Sequence, residues 1–232
     1  MKIILKILFV TGSSVFLLLA LILYGVGGKA GFVGSYQSVI QLKYDHLMKT
    51  SSKKIILIGG SNLAFGINET MITDATGYDV ANLGLHAGFG TLFPTELSKA
   101  NINAGDIVVL AYEYGWEQAN SFSTFGVDLI MSGIDNRLDM YRYVPVSKYP
   151  EILDYLPEYY SKKNTVDYLQ QPEGSYTSKL FNDKGQMTYF RDHSQYAYTK
   201  DHDITLGDFN ISGESKQYLS AFKSFVESKG AS

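Results

Sequence analysis

The sequence predicts an α/β protein: a doubly wound parallel sheet with helices on both faces, carried behind one N-terminal transmembrane helix. Three observations lead there. Residues 7–28 contain no charged side chain. Three apolar runs of strand length follow at 54–58, 78–83 and 106–112, and helix-compatible stretches separate them. Ile55-Ile56-Leu57-Ile58 and Ile107-Val108-Val109-Leu110 are apolar at every position, as strands covered on both faces must be. Alternation of strands with helices of this size marks βαβ units and a parallel sheet.

Residues 1–29 read as a membrane anchor. About 20 apolar residues span the hydrocarbon as a helix, and the charge-free run is long enough. Lys2 and Lys6 precede it and Lys29 follows. A cleaved signal peptide has a shorter apolar region and a small-x-small cleavage site. Tyr24-Gly25-Val26-Gly27-Gly28 offers only a poor version of one. Lys2 and Lys6 favour a cytoplasmic N-terminus, with Lys29 weakening the asymmetry. The remaining chain is then expected outside the cytoplasm.

Composition narrows the function classes. At 45% hydrophobic residues the 232-residue chain can build a substantial core. A formal net charge of −3 provides no basic surface for nucleic acid. The absence of cysteine removes disulfides, thiolate zinc sites and cysteine nucleophiles together.

Residues 30–52 are the juxtamembrane connector, Gly/Ser-rich first and then a short helix over 37–48. The domain proper is 53–232. Its first strand runs into Gly59-Gly60-Ser61-Asn62. Asn68-Glu69-Thr70 opens the next helix as an N-cap and Gly77 closes it. The second strand is followed by a helix over 91–100, and then by the third strand. Residues 116–205 form a tyrosine-rich insertion, with helices expected over 150–160 and 164–169. Its tyrosines either line a groove for carbohydrate or give ordinary amphipathic packing, which suits a ring with a wet hydroxyl. Over 212–229, Tyr218, Leu219, Phe222, Phe225 and Val226 share one helical face, and Gly230 is the C-terminal stop. Either the natural chain ends after this helix, or further strands follow. Three strands make a thin sheet, so truncation is the expectation.

Ligands of open α/β sheets sit at the carboxyl ends of the strands. Three loops reach that edge: Gly59-Gly60-Ser61-Asn62, Asn82-Leu83-Gly84-Leu85-His86, and Tyr112-Glu113-Tyr114. Ser61 is either a nucleophile held at a strand end or the polar residue of a tight turn. A serine held by preceding glycines at a strand end can expose its hydroxyl while backbone N–H groups face a developing oxyanion.

This pattern resembles the SGNH (GDSL-type) hydrolase superfamily, in particular its membrane-anchored branch working on acyl groups of cell-wall and surface polysaccharides. Gly59-Gly60-Ser61 matches the block that carries the nucleophile. Asn82-Leu83-Gly84 matches the block whose glycine N–H joins the oxyanion hole. The resemblance covers roughly residues 53–115 and implies a flavodoxin-like sheet, with Ser61 as nucleophile and the N–H groups of Ser61 and Gly84 as oxyanion donors. Two blocks depart. The third strand ends in Tyr112-Glu113-Tyr114 where the family has an asparagine, so that donor is either missing or replaced by a tyrosine hydroxyl. No Asp-x-x-His occurs: Lys43, Leu83, Phe190 and Thr199 stand three residues before His46, His86, His193 and His202. The base then comes from a missing C-terminal segment, or the chain is an inactive relative.

Asn62, Asn82, His86, Tyr112 and Glu113 are candidates to contact or orient substrate, and His86 is a candidate replacement base, although a solvated loop histidine explains it more simply. Glu113 can equally cap a turn. Asp192-His193 and Asp201-His202-Asp203 lack a helical ligand pair, so no metal is expected, and the chemistry needs no cofactor. The expected activity is that of a membrane-anchored esterase or acyltransferase on an extracytoplasmic glycan. The alternative is an inactive domain that binds a glycan or other proteins of a polymer-modification system. A phosphate-binding loop at Gly59-Gly60-Ser61 lacks both the Gly-Lys-Ser/Thr ending and the Gly-x-Gly-x-x-Gly spacing.

Overall fold

The computed structural model describes residues 2–112, 126–163, 165–189 and 211–232. Helix α1 (Lys2–Gly27) is 26 residues long, about 39 Å at 1.5 Å per residue, and is long and apolar enough to cross a membrane. Residues 2–21 are exposed throughout, and contact with the rest of the protein begins at Ile22 and Val26.

Three parallel strands form the sheet: β1 (Lys54–Gly59), β2 (Asp79–Asn82) and β3 (Ile107–Ala111), in the order β2-β1-β3. Ile56 lies opposite Ala81 and Val108, and Leu57 opposite Asn82 and Val109. Because side chains alternate along a strand, β1 feeds two apolar layers. Ile56 and Ile58 pack with Leu47 of α2 (Val39–Lys49) and with Phe222 and Val226 of the last helix, α8 (Gly213–Ser228). Ile55 and Leu57 pack with Leu63 of α3 (Ser61–Gly66) and Ile72 of α4 (Glu69–Thr76). The central strand is therefore buried along its whole length.

The helix punctuation follows local chemistry. Asn68 Oδ1 accepts from the Met71 N–H at 3.3 Å, and Gly77 closes α4 in the left-handed region at φ 72°. Ser212 caps α8 by accepting from the Ser215 N–H at 3.1 Å, and Gly230 follows at φ 74°. Helix α5 (Leu92–Ser98) continues into a 3-10 turn, Lys99–Asn101. Helices α6 (Val127–Ile134) and α7 (Tyr149–Lys162) pack on each other. The helix expected over 164–169 is replaced by a 3-10 turn at Tyr168–Gln170, where Asp167 accepts from the Leu169 N–H. A side chain that captures a nearby N–H offers the backbone an alternative to a helix.

Segment 30–52 contributes Phe32, Tyr36, Val39, Ile40 and Tyr44 to the largest buried cluster, alongside Phe89, Ile130, Met140 and Tyr159. Within the tyrosine-rich region, Tyr141, Tyr143, Tyr155, Tyr168 and Tyr189 pack against the same cluster. At the far end of the chain, Ser232 lies on the edge of β3. Its N–H donates to Asp106 O at 3.0 Å and its carbonyl accepts from the Val108 N–H at 2.7 Å, the pattern of a parallel ladder.

A buried ion pair ties the amino ends of β1 and β3 together. Lys54 Nζ and Asp106 Oδ2 are 2.7 Å apart, at 0% and 1% side-chain exposure. The Asp106 carboxylate also accepts from the backbone N–H groups of Lys54 and Asn103. These added donors satisfy a charge that would otherwise be costly to bury.

Candidate functional site

The three strand ends meet where the sheet would present a ligand. Ser61 is the first residue of α3, directly after the β1 turn, and is half-buried. Asn62 joins the first and third loops: its Oδ1 accepts from the Gly60 N–H at 3.2 Å, and its Nδ2 donates to Ala111 O at 2.8 Å. Gly59 is required by close approach, because a Cβ there would meet Ala111 O and, at 2.8 Å, Leu63 Cδ1. Gly84 is required for the same reason. A Cβ there would run into Leu63 Cβ and lie 2.9 Å from Gly60 O. The β2 loop is thus seated directly on the turn that carries Ser61.

Asn82 is the hub of this arrangement and is buried. Its Nδ2 donates to Leu63 O at 3.0 Å and to Glu69 Oε1 at 2.8 Å, while its Oδ1 accepts from the Gly84 N–H at 2.9 Å. Its own carbonyl accepts from Lys43 Nζ at 3.0 Å, and that ammonium also lies 5.6 Å from the Phe181 ring centroid. One residue thereby connects α2, α3, α4 and the Gly84 loop. Lys43 and Glu69 are both almost fully buried, and neither stood out as a site residue in the sequence. Lys43 does leave a signal there: it falls on the otherwise apolar face Val39, Ile40, Tyr44, Leu47 of α2. Glu69 leaves none beyond its place in the first turn of α4, where the helix dipole favours a carboxylate.

Three of the expected site groups make hydrogen bonds within the protein. The Gly84 N–H, the anticipated oxyanion donor, points to Asn82 Oδ1. His86 Nδ1 accepts from the Gly88 N–H at 2.8 Å and caps the 3-10 turn Ala87–Phe89. An imidazole whose Nδ1 accepts carries its proton on Nε2 when neutral, so in this arrangement Nε2 is a donor rather than a base. The Tyr112 hydroxyl donates to Thr91 O at 2.8 Å and meets Thr95 Oγ1 at 2.5 Å. It is directed into α5, and burial pushes its pKa well above the ordinary tyrosine value. His46 Nε2 lies 3.0 Å from Val80 O on the α2 side of the sheet. Glu113, His193 and His202 lie outside the described residues. Among the described residues no cluster of His, Asp and Glu could hold a metal ion.

Beside the serine loop stands an aromatic wall. Tyr36 anchors it through its hydroxyl, which donates to Leu85 O at 2.6 Å. Around Tyr36 lie Phe65 at 6.5 Å, Tyr176 at 5.4 Å, Phe181 at 5.5 Å and the His86 ring at 6.3 Å between centroids. Phe65 is four residues after Ser61 on α3 and therefore shares its face of the helix. Tyr176 is 63% exposed, so the wall reaches solvent. Set beside protein-family models, curated proteins and solved structures, the chain matches none of them.

Proposed function

We propose that this chain is a membrane-anchored serine esterase or acyltransferase of SGNH type, with a doubly wound domain outside the cytoplasm. Its substrates are ester-linked acyl groups of a cell-wall or surface polysaccharide. The observation that carries the reading is the seating of Gly84 on the Gly60-Ser61 turn at the carboxyl edge of a parallel sheet. That contact supports the reading because it joins two loops whose residues 61 and 84 are separated by 22 residues in sequence. The aromatic wall formed by Tyr36, Phe65 and Tyr176 supports a glycan as substrate, since sugar rings lay apolar faces on aromatic side chains.

In this mechanism Ser61 Oγ attacks the acyl carbonyl carbon, and the C–O bond to the sugar oxygen breaks. The serine proton passes through a base to the departing oxygen. The acyl group then moves from Ser61 to water or to an acceptor hydroxyl. The N–H groups of Ser61 and Gly84 stabilise the tetrahedral oxyanion, which requires Gly84 to exchange Asn82 Oδ1 for substrate. Reaction with a fluorophosphonate tests the proposal: the full chain takes the label and Ser61→Ala does not.

A second reading has its own observation. The Gly84 N–H, His86 Nδ1 and the Tyr112 hydroxyl are all engaged by neighbouring protein groups, as expected of an inactive domain that binds a glycan through the aromatic wall. Retained affinity for an acylated polysaccharide with no label at Ser61 selects this alternative.

A further inference from the structure

Helix α7 has three faces. Ile152, Leu156 and Tyr159 are buried against the core, while Glu151, Asp154, Glu158 and Lys162 are exposed on a polar face. The third face is exposed yet apolar: Tyr149, Leu153, Pro157 and Tyr160. Spacings of four, four and three residues stack these side chains along one side of the helix. Leu153 is 53% exposed, and Val146, in the turn that leads into α7, is 81% exposed.

The lower end of this stripe touches α1. The Tyr160 hydroxyl donates to Ile22 O at 3.4 Å, and Lys163 Nζ donates to Gly25 O at 3.0 Å. The Tyr160 ring also covers Gly25 so closely that a Cβ there would meet its Cε1 and hydroxyl, the former at 2.5 Å. These contacts set a depth. Residues 2–21 of α1 are bare of protein, and 20 helical residues span about 30 Å, the thickness of the hydrocarbon. Ile22 then stands at the hydrocarbon boundary, and a span of 7–26 would place it slightly inside. Tyr160 therefore sits at headgroup level, where tyrosine rings are enriched.

We propose that the Tyr149-Leu153-Pro157-Tyr160 face of α7 rests on the outer leaflet of the same bilayer, so that the domain lies against the membrane surface. The occupant is lipid, because the stripe is continuous with the helix that enters it. Glu151, Asp154 and Glu158 turn to the aqueous side and lysines flank both ends, so the contact is apolar and independent of anionic lipid. This rests on the reading of α1 as a membrane span.

The chain lacks cysteine, so single labels can be placed without background. Full-length protein carrying Leu153→Cys, Asp154→Cys or Leu17→Cys is labelled with an environment-sensitive fluorophore and reconstituted in phosphatidylcholine vesicles. A nitroxide on the lipid acyl chain is expected to quench the labels at 153 and 17 several-fold more than the label at 154, while aqueous iodide quenches 154 preferentially. Quenching at 17 with full iodide access at 153 overturns the surface contact alone. Shielding of 153 from both quenchers assigns the face to a protein, a second copy included, and also overturns it. Absence of lipid quenching at 17 overturns the membrane span and this inference together.

Discussion

Asn82→Ala is the perturbation that most directly tests how the site is built. The substitution removes the hydrogen bonds to Leu63 O, Glu69 Oε1 and the Gly84 N–H. The side chain is buried, so water replaces these partners only in part. A net contribution near 1 kcal/mol for each bond gives a loss of about 3 kcal/mol, and the charged acceptor at Glu69 raises it. Against a total stability of roughly 5–15 kcal/mol the protein stays folded, with a Tm lowered by about 6–12 °C. The assay is urea unfolding of the full chain in detergent micelles, followed by far-ultraviolet circular dichroism. Glu69→Gln keeps a neutral acceptor for Asn82 Nδ2 and is expected to cost clearly less. An Asn82→Ala loss below about 0.5 kcal/mol, the range of ordinary surface substitutions, refutes the hub.

Lys54→Met leaves the buried Asp106 carboxylate without its cation and is expected to destabilise by about 3–5 kcal/mol, whereas adding Asp106→Leu restores much of the loss; equal effects of the single and double variants in the same unfolding assay contradict this. Gly84→Ala pushes a methyl group against Leu63 and Gly60, costing about 1–3 kcal/mol as overpacking does and lowering the rate of fluorophosphonate labelling; an unchanged rate argues against the seated loop. Alkaline titration provides a further test, because burial holds Tyr112 and Tyr141 above the ordinary tyrosine pKa. A raised folded pKa means that the stabilisation is complete below the unfolded value, near 10, and drains away as pH rises toward the folded one, by about 1.4 kcal/mol per pH unit for each retained proton. Phenolate absorbance should therefore show a late group of tyrosines appearing with unfolding; ionisation of every tyrosine near pH ~10 with the fold intact would be inconsistent with those buried hydroxyls.

Much of the sheet was legible because its signals are local. Largely apolar runs of strand length mark β1, β2 and β3, and the pairs Asn68–Gly77 and Ser212–Gly230 bracket α4 and α8. The seating of Gly84 on Gly60 and Leu63, beside Ser61, was legible only through the order of the blocks, since nothing local brings the two loops together. What escaped depends on long-range packing. Glu69 looks like an ordinary surface charge, and Lys43 is marked only by its place on an apolar helix face, until Asn82 is seen between them and the strands. Tyr112 reads as a donor at a strand end, yet its hydroxyl turns to α5, because Thr91 and Thr95 supply partners there. His86 reads as a loop imidazole, and its Nδ1 is consumed by the Gly88 N–H two residues later. The connector over 30–52 carries Phe32, Tyr36 and Tyr44 into the core, a role that glycine and serine content concealed. The expected helix at 164–169 gave way to a turn set by the Asp167 side chain.

The central claim is that Ser61 acts as a nucleophile at the carboxyl edge of the sheet. Its most direct measurement is mass-spectrometric mapping of the full-length, membrane-reconstituted protein after treatment with a fluorophosphonate. A covalent adduct on Ser61, formed with saturation kinetics, absent from Ser61→Ala and slowed by an acylated polysaccharide, is the predicted result. Intact protein that carries no adduct, or labels equally in Ser61→Ala, contradicts the claim.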